Sequence, residues 1–308
     1  MSTVLRVHDE VADALGGQQP VVALESTIFS HLGLPSPSNA QALDRCLAAV
    51  RQGGAVPAIT AVLDGVARVG IGSDEHERIL GPARKVAARD LPVAVAQGWE
   101  VGASTVSASL ALAASAGIGV FATGGIGGVH RDAHLTGDVS ADLDALRSFP
   151  VVTVCAGAKA FLDIARTLEH LESLGVPVVG WRSDQFPAFT TRTSGLPVPH
   201  RADTASEVAA MVGAARSIGA THGMLVTVPV PEADAIAPEV LELATAEALA
   251  DATEAGVGGA AVTPFVLERI ASATDGASVA ANLALAEHNA AVAAEIAAAV
   301  AAEGRNQR

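Results

Sequence analysis

Lys85 and Lys159 are the only lysines in this chain of 308 residues, and arginine carries the rest of its nineteen positive charges. Lys159 ends the segment VVTVCAGAK, just past an apolar stretch that reads as a strand. An amine behind a core strand is desolvated, which disfavours its charged form and makes it a nucleophile toward carbon. The same residue also fits a solvated place in the first turn of a following helix. Ahead of it, TGGIGGVH at Thr123–His130 and HLTGDVSAD at His134–Asp142 bring glycine backbone, imidazoles and carboxylates into under forty residues, the inventory of a reacting site.

Each neighbouring group has two readings. Gly124, Gly125, Gly127 and Gly128 follow an apolar run, and bare amides there suit an oxyanion nest, which His130, Arg131 and His134 would reinforce. The spacing matches neither the dinucleotide fingerprint nor the nucleotide phosphate loop, and a structural turn is the other reading. Asp138, Asp142 and Asp144 offer the hard oxygen ligands that magnesium or manganese prefers. If a helix starts at Ser140, Asp142 and Asp144 are ordinary first-turn acids, so Asp138 is the better metal ligand. Glu25 closes the apolar run Val21–Leu24, where burial raises a carboxyl pKa toward general-acid use; its alternative is a carboxylate bonded to Ser26, Thr27 or helix amides. Arg84, Lys85 and Arg89 beside Asp90 are a phosphate site or a solvated face.

The elements that position these groups alternate. Val21–Leu24 reads as a buried strand, and Ser38 or Asn39 caps a helix that Gly53-Gly54 stops. Val56–Leu63 and Val66–Ile71 flank Asp64-Gly65, a strong hairpin signal. From Asp90 onward strands and helices alternate: apolar 92–96, helix 104–116, strand 118–122, helix 140–147, strand 151–154, helix 160–174 and strand 176–179. A long loop follows Trp181, then a helix over 206–218, a strand over 224–228 and helices over 238–255, 264–273 and 278–300. The expected fold is one α/β domain over residues 1–308, a three-layer α/β/α sandwich whose mixed central sheet includes an antiparallel hairpin.

Composition removes several function classes. A formal charge of −14, 3% aromatic residues and no tyrosine argue against polymeric nucleic acid. Cys46 and Cys155 stand among apolar neighbours without metal or disulfide spacing, which suits a reduced, cytoplasmic protein. The N-terminal twenty residues carry acids and no continuous apolar stretch, and later apolar runs are interrupted, so neither a signal peptide nor a membrane span is expected.

Eight segments in order, ALESTIFSHLGLPSPSN, AVPAITAVLDG, KVAARDLP, VFATGGIGGVHR, DVSADL, VCAGAK, PAFTTRTSG and TPFVLERI, resemble the pseudouridine-5'-phosphate glycosidase family from about Val21 to the C-terminal helix. The resemblance implies reversible cleavage of the carbon–carbon glycosidic bond of pseudouridine 5'-phosphate to uracil and ribose 5-phosphate, a manganese ion and a homotrimer. It implies that Lys159 is the nucleophile and Glu25 the proton donor. Lys85, Val106, His130, Ser140, Ala141, Asp142 and Asn289 would contact substrate, and Asp138 would hold Mn2+. In the loop GWRSDQFPAF the chain departs from the family's usual aromatic or basic residue, which leaves the contacts to the uracil ring open. Competing readings are a glycosidase for a related C-glycosyl or ribosyl phosphate and a phosphometabolite-binding protein without turnover.

Overall fold

The computed structural model describes residues 4–306. The strands are β1 Leu5–Val7, β2 Val21–Leu24, β3 Val56–Leu63, β4 Val66–Val69, β5 Arg84–Val86, β6 Val101–Ser104, β7 Val120–Ala122, β8 Val152–Cys155, β9 Val178–Trp181, β10 His200–Ala202 and β11 Met224–Thr227. The helices are α1 Asp9–Gly16, α2 Ser38–Gln52, α3 His76–Leu80, α4 Leu91–Ala96, α5 Val106–Ala116, α6 Ala133–Thr136, α7 Ala141–Ser148, α8 Ile164–Ser173, α9 Ala205–Ser217, α10 Pro238–Glu254, α11 Val262–Ala273 and α12 Ala277–Asn306.

One half of the sheet is parallel in the order β3-β2-β7-β8-β11-β9-β10. Its inner strands, VVAL, VFA, VTVC and MLVT, are buried at every position, as strands covered on both faces must be. β3 is long enough to serve two sheets. Val56–Ile59 run parallel to β2, and Thr60–Leu63 pair antiparallel with β4 and β6. Asp64 and Gly65 both take positive φ, 52° and 71°, which the expected two-residue hairpin turn requires. Arg78 holds the Asp64 carboxylate with two hydrogen bonds of 2.8 and 2.9 Å.

Apolar side chains alternate between the sheet's faces and build a core on each. α2, α9 and α12 cover one face with Leu43, Val50, Val212, Leu285 and Ile296. α1, α5, α7 and α8 cover the other with Val11, Leu110, Leu143, Leu146 and Leu171. The three-layer α/β/α architecture with a mixed sheet and antiparallel hairpin is therefore as expected. α12 is long and apolar enough to span a bilayer by length and composition, yet it lies against α2, α9 and the strands.

Several expectations are corrected. The apolar stretch 92–96 is part of helix α4, because Pro92 in the first turn needs no amide partner there. Neither Ser38 nor Asn39 caps α2, which starts directly after Pro37; Asn39 instead donates to Phe29 O and Leu80 O at 3.0 Å each. The helix expected from residue 160 begins only at Ile164, with the Asp163 side chain accepting from Arg166 N at 3.0 Å. That leaves Lys159 in a turn, and its alternative as a helical surface residue falls away. The strands β1, β5, β6 and β10 are too short for their periodicity to stand out in sequence, and helix α1, though amphipathic, spans only about two turns.

Candidate active site

β2 leads through α2 on one face to its neighbour β3, whereas β7, on the other side of β2, leads through α7 on the opposite face to β8. The connections diverge between β2 and β7, and a crevice opens at the carboxyl ends of such strands. Glu25 follows β2, Thr123 follows β7, and Lys159 comes four residues after β8.

The turns after β7 and β8 are zipped together. Thr123 N donates to Val154 O (3.0 Å), Ala156 N to Gly124 O (2.9 Å), Ile126 N to Gly157 O (3.0 Å) and Lys159 N to Ile126 O (3.2 Å). The parallel ladder thus continues beyond the strands and fixes the Lys159 backbone relative to the glycine turn. The glycines serve close packing: a side chain on Gly125 would strike the Phe189 ring, one on Gly127 would strike Ser140, and one on Gly128 would strike Thr167. Ile126 N is used in the ladder, Gly127 N donates to Asp142 Oδ2 at 2.9 Å, and Val129 N donates to Thr167 Oγ1 at 3.0 Å. The turn thus packs closely and commits the amides of Ile126, Gly127 and Val129, while Gly124, Gly125 and Gly127 themselves line the cavity beside it.

A cavity of about 350 Å³ brings together Glu25, Lys85, Val106, His130, Asp138, Ser140, Ala141, Asp142 and Lys159. Asn289 stands outside its lining. It is fully buried behind the glycine turn, its Nδ2 donating to Thr123 O (2.8 Å) and Gly124 O (3.2 Å). His134 and Arg131 also lie elsewhere, His134 in a separate surface hollow and Arg131 with its Nε donating to Phe161 O. Asp144 is an exposed first-turn acid of α7.

Glu25 is only 8% exposed, and Thr123 Oγ1 donates to its Oε1 in a short contact. Burial pushes the carboxyl up to about 7, against the opposing pull of Lys159 and the Thr123 hydrogen bond. A carboxyl titrating there exchanges a proton near neutrality, as a general acid must. Lys85, on β5, is held below the usual lysine range, first by desolvation and then by the charge of Lys159. Asp142 ties two elements: Oδ1 accepts from Ser107 N at 3.0 Å, in the first turn of α5, and Oδ2 accepts from Gly127 N. It is both a first-turn acid of α7 and a brace of the cavity wall.

Asp138 is partly exposed, with Oδ2 3.8 Å from His130 Nε2. Among the described residues no group of three or more His, Cys, Asp or Glu converges as a metal cage. Asp138 with His130 fits only a hydrated hard ion that completes its shell with water and substrate oxygens. Burial pushes the Cys46 and Cys155 thiols up to about 12, which leaves both inert.

Arg89, offered in sequence as part of a phosphate site, does line the cavity, whereas sequence reasoning missed Phe161, Phe189 and Asn282 as wall residues. Asn282 is 9% exposed and its Oδ1 has no hydrogen-bond partner. It lies on the same face of α12 as Asn289, about two turns earlier, and only the three-dimensional path of that helix separates a lining amide from a bracing one. Phe189 belongs to PAFTTRTSG, a segment that carried the resemblance without a role.

The family described as "Indigoidine synthase A like protein" matches residues 10–299. A pseudouridine-5'-phosphate glycosidase of Methylobacterium nodulans is 51% identical, over 94% of this chain and 86% of that one. Another, from Caldanaerobacter subterraneus subsp. tengcongensis, is 46% identical over 96% of this chain and 97% of its own. Among solved structures, the prealnumycin C-glycosynthase AlnA in complex with ribulose 5-phosphate superposes with a TM-score of 0.91 at 37% identity, covering all of both chains. An indigoidine synthase A-like protein of Thermotoga maritima gives 0.88 at 34% identity over 97% of each chain. With the family model matching residues 10–299, relatives 46–51% identical over nearly the whole chain and the same fold in solved structures, the chain belongs to the indigoidine synthase A like family and, within it, groups with the pseudouridine-5'-phosphate glycosidases.

Proposed function

We propose that this protein is an enzyme that reversibly cleaves the C-glycosidic bond of pseudouridine 5'-phosphate, giving uracil and ribose 5-phosphate through a covalent adduct on Lys159. The observation that carries the reading is the convergence of the chain's two lysines with a buried carboxyl titrating near 7 in one cavity at the carboxyl ends of β2, β7 and β8. The identity to proteins named for this activity supports it.

A carbon leaving group has no lone pair to protonate, so acid catalysis at the departing atom, the device of ordinary sugar hydrolysis, is unavailable. Glu25 in its protonated form delivers a proton to the ring oxygen as the C1'–O bond opens, and the electrons that leave C1' are replaced from the base. The Lys159 amine then forms a bond to C1' and loses a proton. Glu25, having taken up the proton that the Lys159 amine released, delivers it to C5 of the base, and the C1'–C5 bond breaks with the lysine nitrogen lone pair filling in behind it, leaving an iminium at C1' and free uracil. Water adds to that iminium and releases ribose 5-phosphate, so the net reaction consumes one water and regenerates Lys159 and Glu25. Lys85 supplies a cation for the phosphate and Val106, at the start of α5, a backbone amide, the neighbouring Ser107 amide being held by Asp142. Bound Mn2+, held by Asp138 beside His130, would supply a Lewis-acidic charge for substrate oxygens. Ser140 and Ala141 at the start of α7 shape the wall next to it. A homotrimer in the cytoplasm completes the reading.

Purified protein incubated with pseudouridine 5'-phosphate, with and without manganese, and followed for released uracil tests the substrate and the ion. The Lys159→Ala variant, assayed alongside, is expected to lose at least about a thousandfold in kcat while keeping its fold. Uracil release that survives in this variant would remove the adduct mechanism.

A further inference from the structure

The catalytic cavity is graded in polarity. Lys85, Arg89 and the first turn of α5 belong to it alone, whereas Leu32, Phe161, Phe189, Pro264 and Leu267 also line an adjoining cavity of about 450 Å³. The end with the cations suits the phosphate, and the end shared with the second cavity is apolar apart from Asn282. Phenylalanine is scarce, with seven in the whole chain, and tyrosine is absent. Two of those phenylalanines nonetheless stand at this apolar end.

Phe189 is held there against its own backbone preference. Its φ is 61°, in the left-handed region that a bulky side chain enters only under constraint. The constraint is visible on both sides of it. Phe189 N donates to Ala156 O at 2.9 Å, Ala188 forms a bridge with Gly157, Thr190 O accepts from Ile236 N at 2.9 Å, and Arg192 Nη1 donates to Val230 O at 2.6 Å. The docked loop presses the ring onto the bare backbone of Gly125, where a Cβ would come within 2.7 Å of Phe189 Cδ2. The ring is therefore fixed against the turn after β7, while its own backbone amide ties it to the turn that leads to Lys159. A flat, rigid, apolar surface beside a carbon-bond-forming centre suits a planar heterocycle, because every base has a π-face to lay on it.

We propose that Phe189 is the platform on which the uracil ring lies, and so a specificity-determining residue for the base. This rests on the functional reading above. The reverse reaction makes its geometric need plain: C5 of uracil must face C1' of the sugar held on Lys159, losing a proton as the C–C bond forms and one water leaves overall. A free base that tumbles in the cavity presents other atoms.

The adduct itself requires no base, which separates this role from a structural one. Ribose 5-phosphate alone forms the imine on Lys159 with loss of water, and borohydride reduces it to a secondary amine that adds to the protein mass. Two variants are compared with the parent: Phe189→Gly, which suits the positive φ, and Phe189→Leu, which keeps apolar bulk but removes the aromatic face. Both are expected to be trapped with ribose 5-phosphate as the parent is, while KM for uracil in the synthetic direction rises at least about tenfold in each. A uracil KM within threefold of the parent in Phe189→Leu would overturn the platform role, and so would loss of trapping in both variants. If the parent itself forms no adduct and no pseudouridine 5'-phosphate, the functional reading fails, and the inference falls with it.

Discussion

At the scale of the residue, the site is governed by how Glu25 is solvated. Its carboxyl closes a fully buried strand, and desolvation outweighs the stabilising charge of Lys159 and the hydrogen bond from Thr123 to set it near 7. As a proton donor it works when protonated, so kcat/KM in the cleavage direction is expected to fall on a limb that descends above about pH 7. Because the Thr123 hydroxyl favours the ionised form, Thr123→Val, nearly the same in shape, is expected to raise the carboxyl pKa further and move that limb to higher pH. A pH profile of parent and variant checks this, and a limb that stays put or moves down would assign it to another group. The family resemblance assigned roles to Glu25, Lys85 and Lys159, and their candidacy, from scarcity or placement, was legible in the sequence. Their mutual electrostatics was not, because the three arrive from β2, β5 and the turn after β8, which are far apart in the chain.

At the scale of the element, the position of Lys159 depends on a ladder that outlives its strands. Gly157 stands in the middle of that ladder at φ 79°, with Pro187 O where a Cβ would be. Gly157→Ala is expected to destabilise the fold by about 1–3 kcal/mol, since the new side chain meets both a disfavoured φ and a backbone carbonyl. It is also expected to lower kcat, because the turn that carries Lys159 must move. Thermal unfolding and uracil release measure the two, and an unchanged midpoint would show that the loop from Arg182 gives way without cost. The glycines of TGGIGG were conspicuous in sequence, but bare amides suggest anion binding and close packing equally well. Partners narrow the choice: Gly157 O, Asp142 and Thr167 take up the amides of Ile126, Gly127 and Val129, while Gly124 and Gly125 face the cavity lining. The hairpin at Asp64-Gly65 was legible because its geometry is local. Helix α4 was misread because a short apolar run fits a strand or a helix equally until its neighbours are placed.

At the scale of the whole molecule, the family resemblance carries an assembly. Sedimentation equilibrium is expected to return three times the 30.8 kDa chain mass, and a monomer mass at micromolar protein would remove the trimer from the reading. The alternation of apolar runs with amphipathic stretches was enough for a layered α/β architecture, because strands covered on both faces and helices covered on one leave different periodicities in sequence. The sequence by itself determined the layers, the hairpin and the reactive residue types, all of which follow from local chemistry and spacing. Only the tertiary structure decided that Asp142 ties α5 to the glycine turn, that Asn282 lines the cavity while Asn289 sits behind it, and that Phe189 lies on Gly125. Each of these depends on where the chain returns after tens to hundreds of residues. Such meetings are fixed by the packing of the finished core, and no local pattern records them.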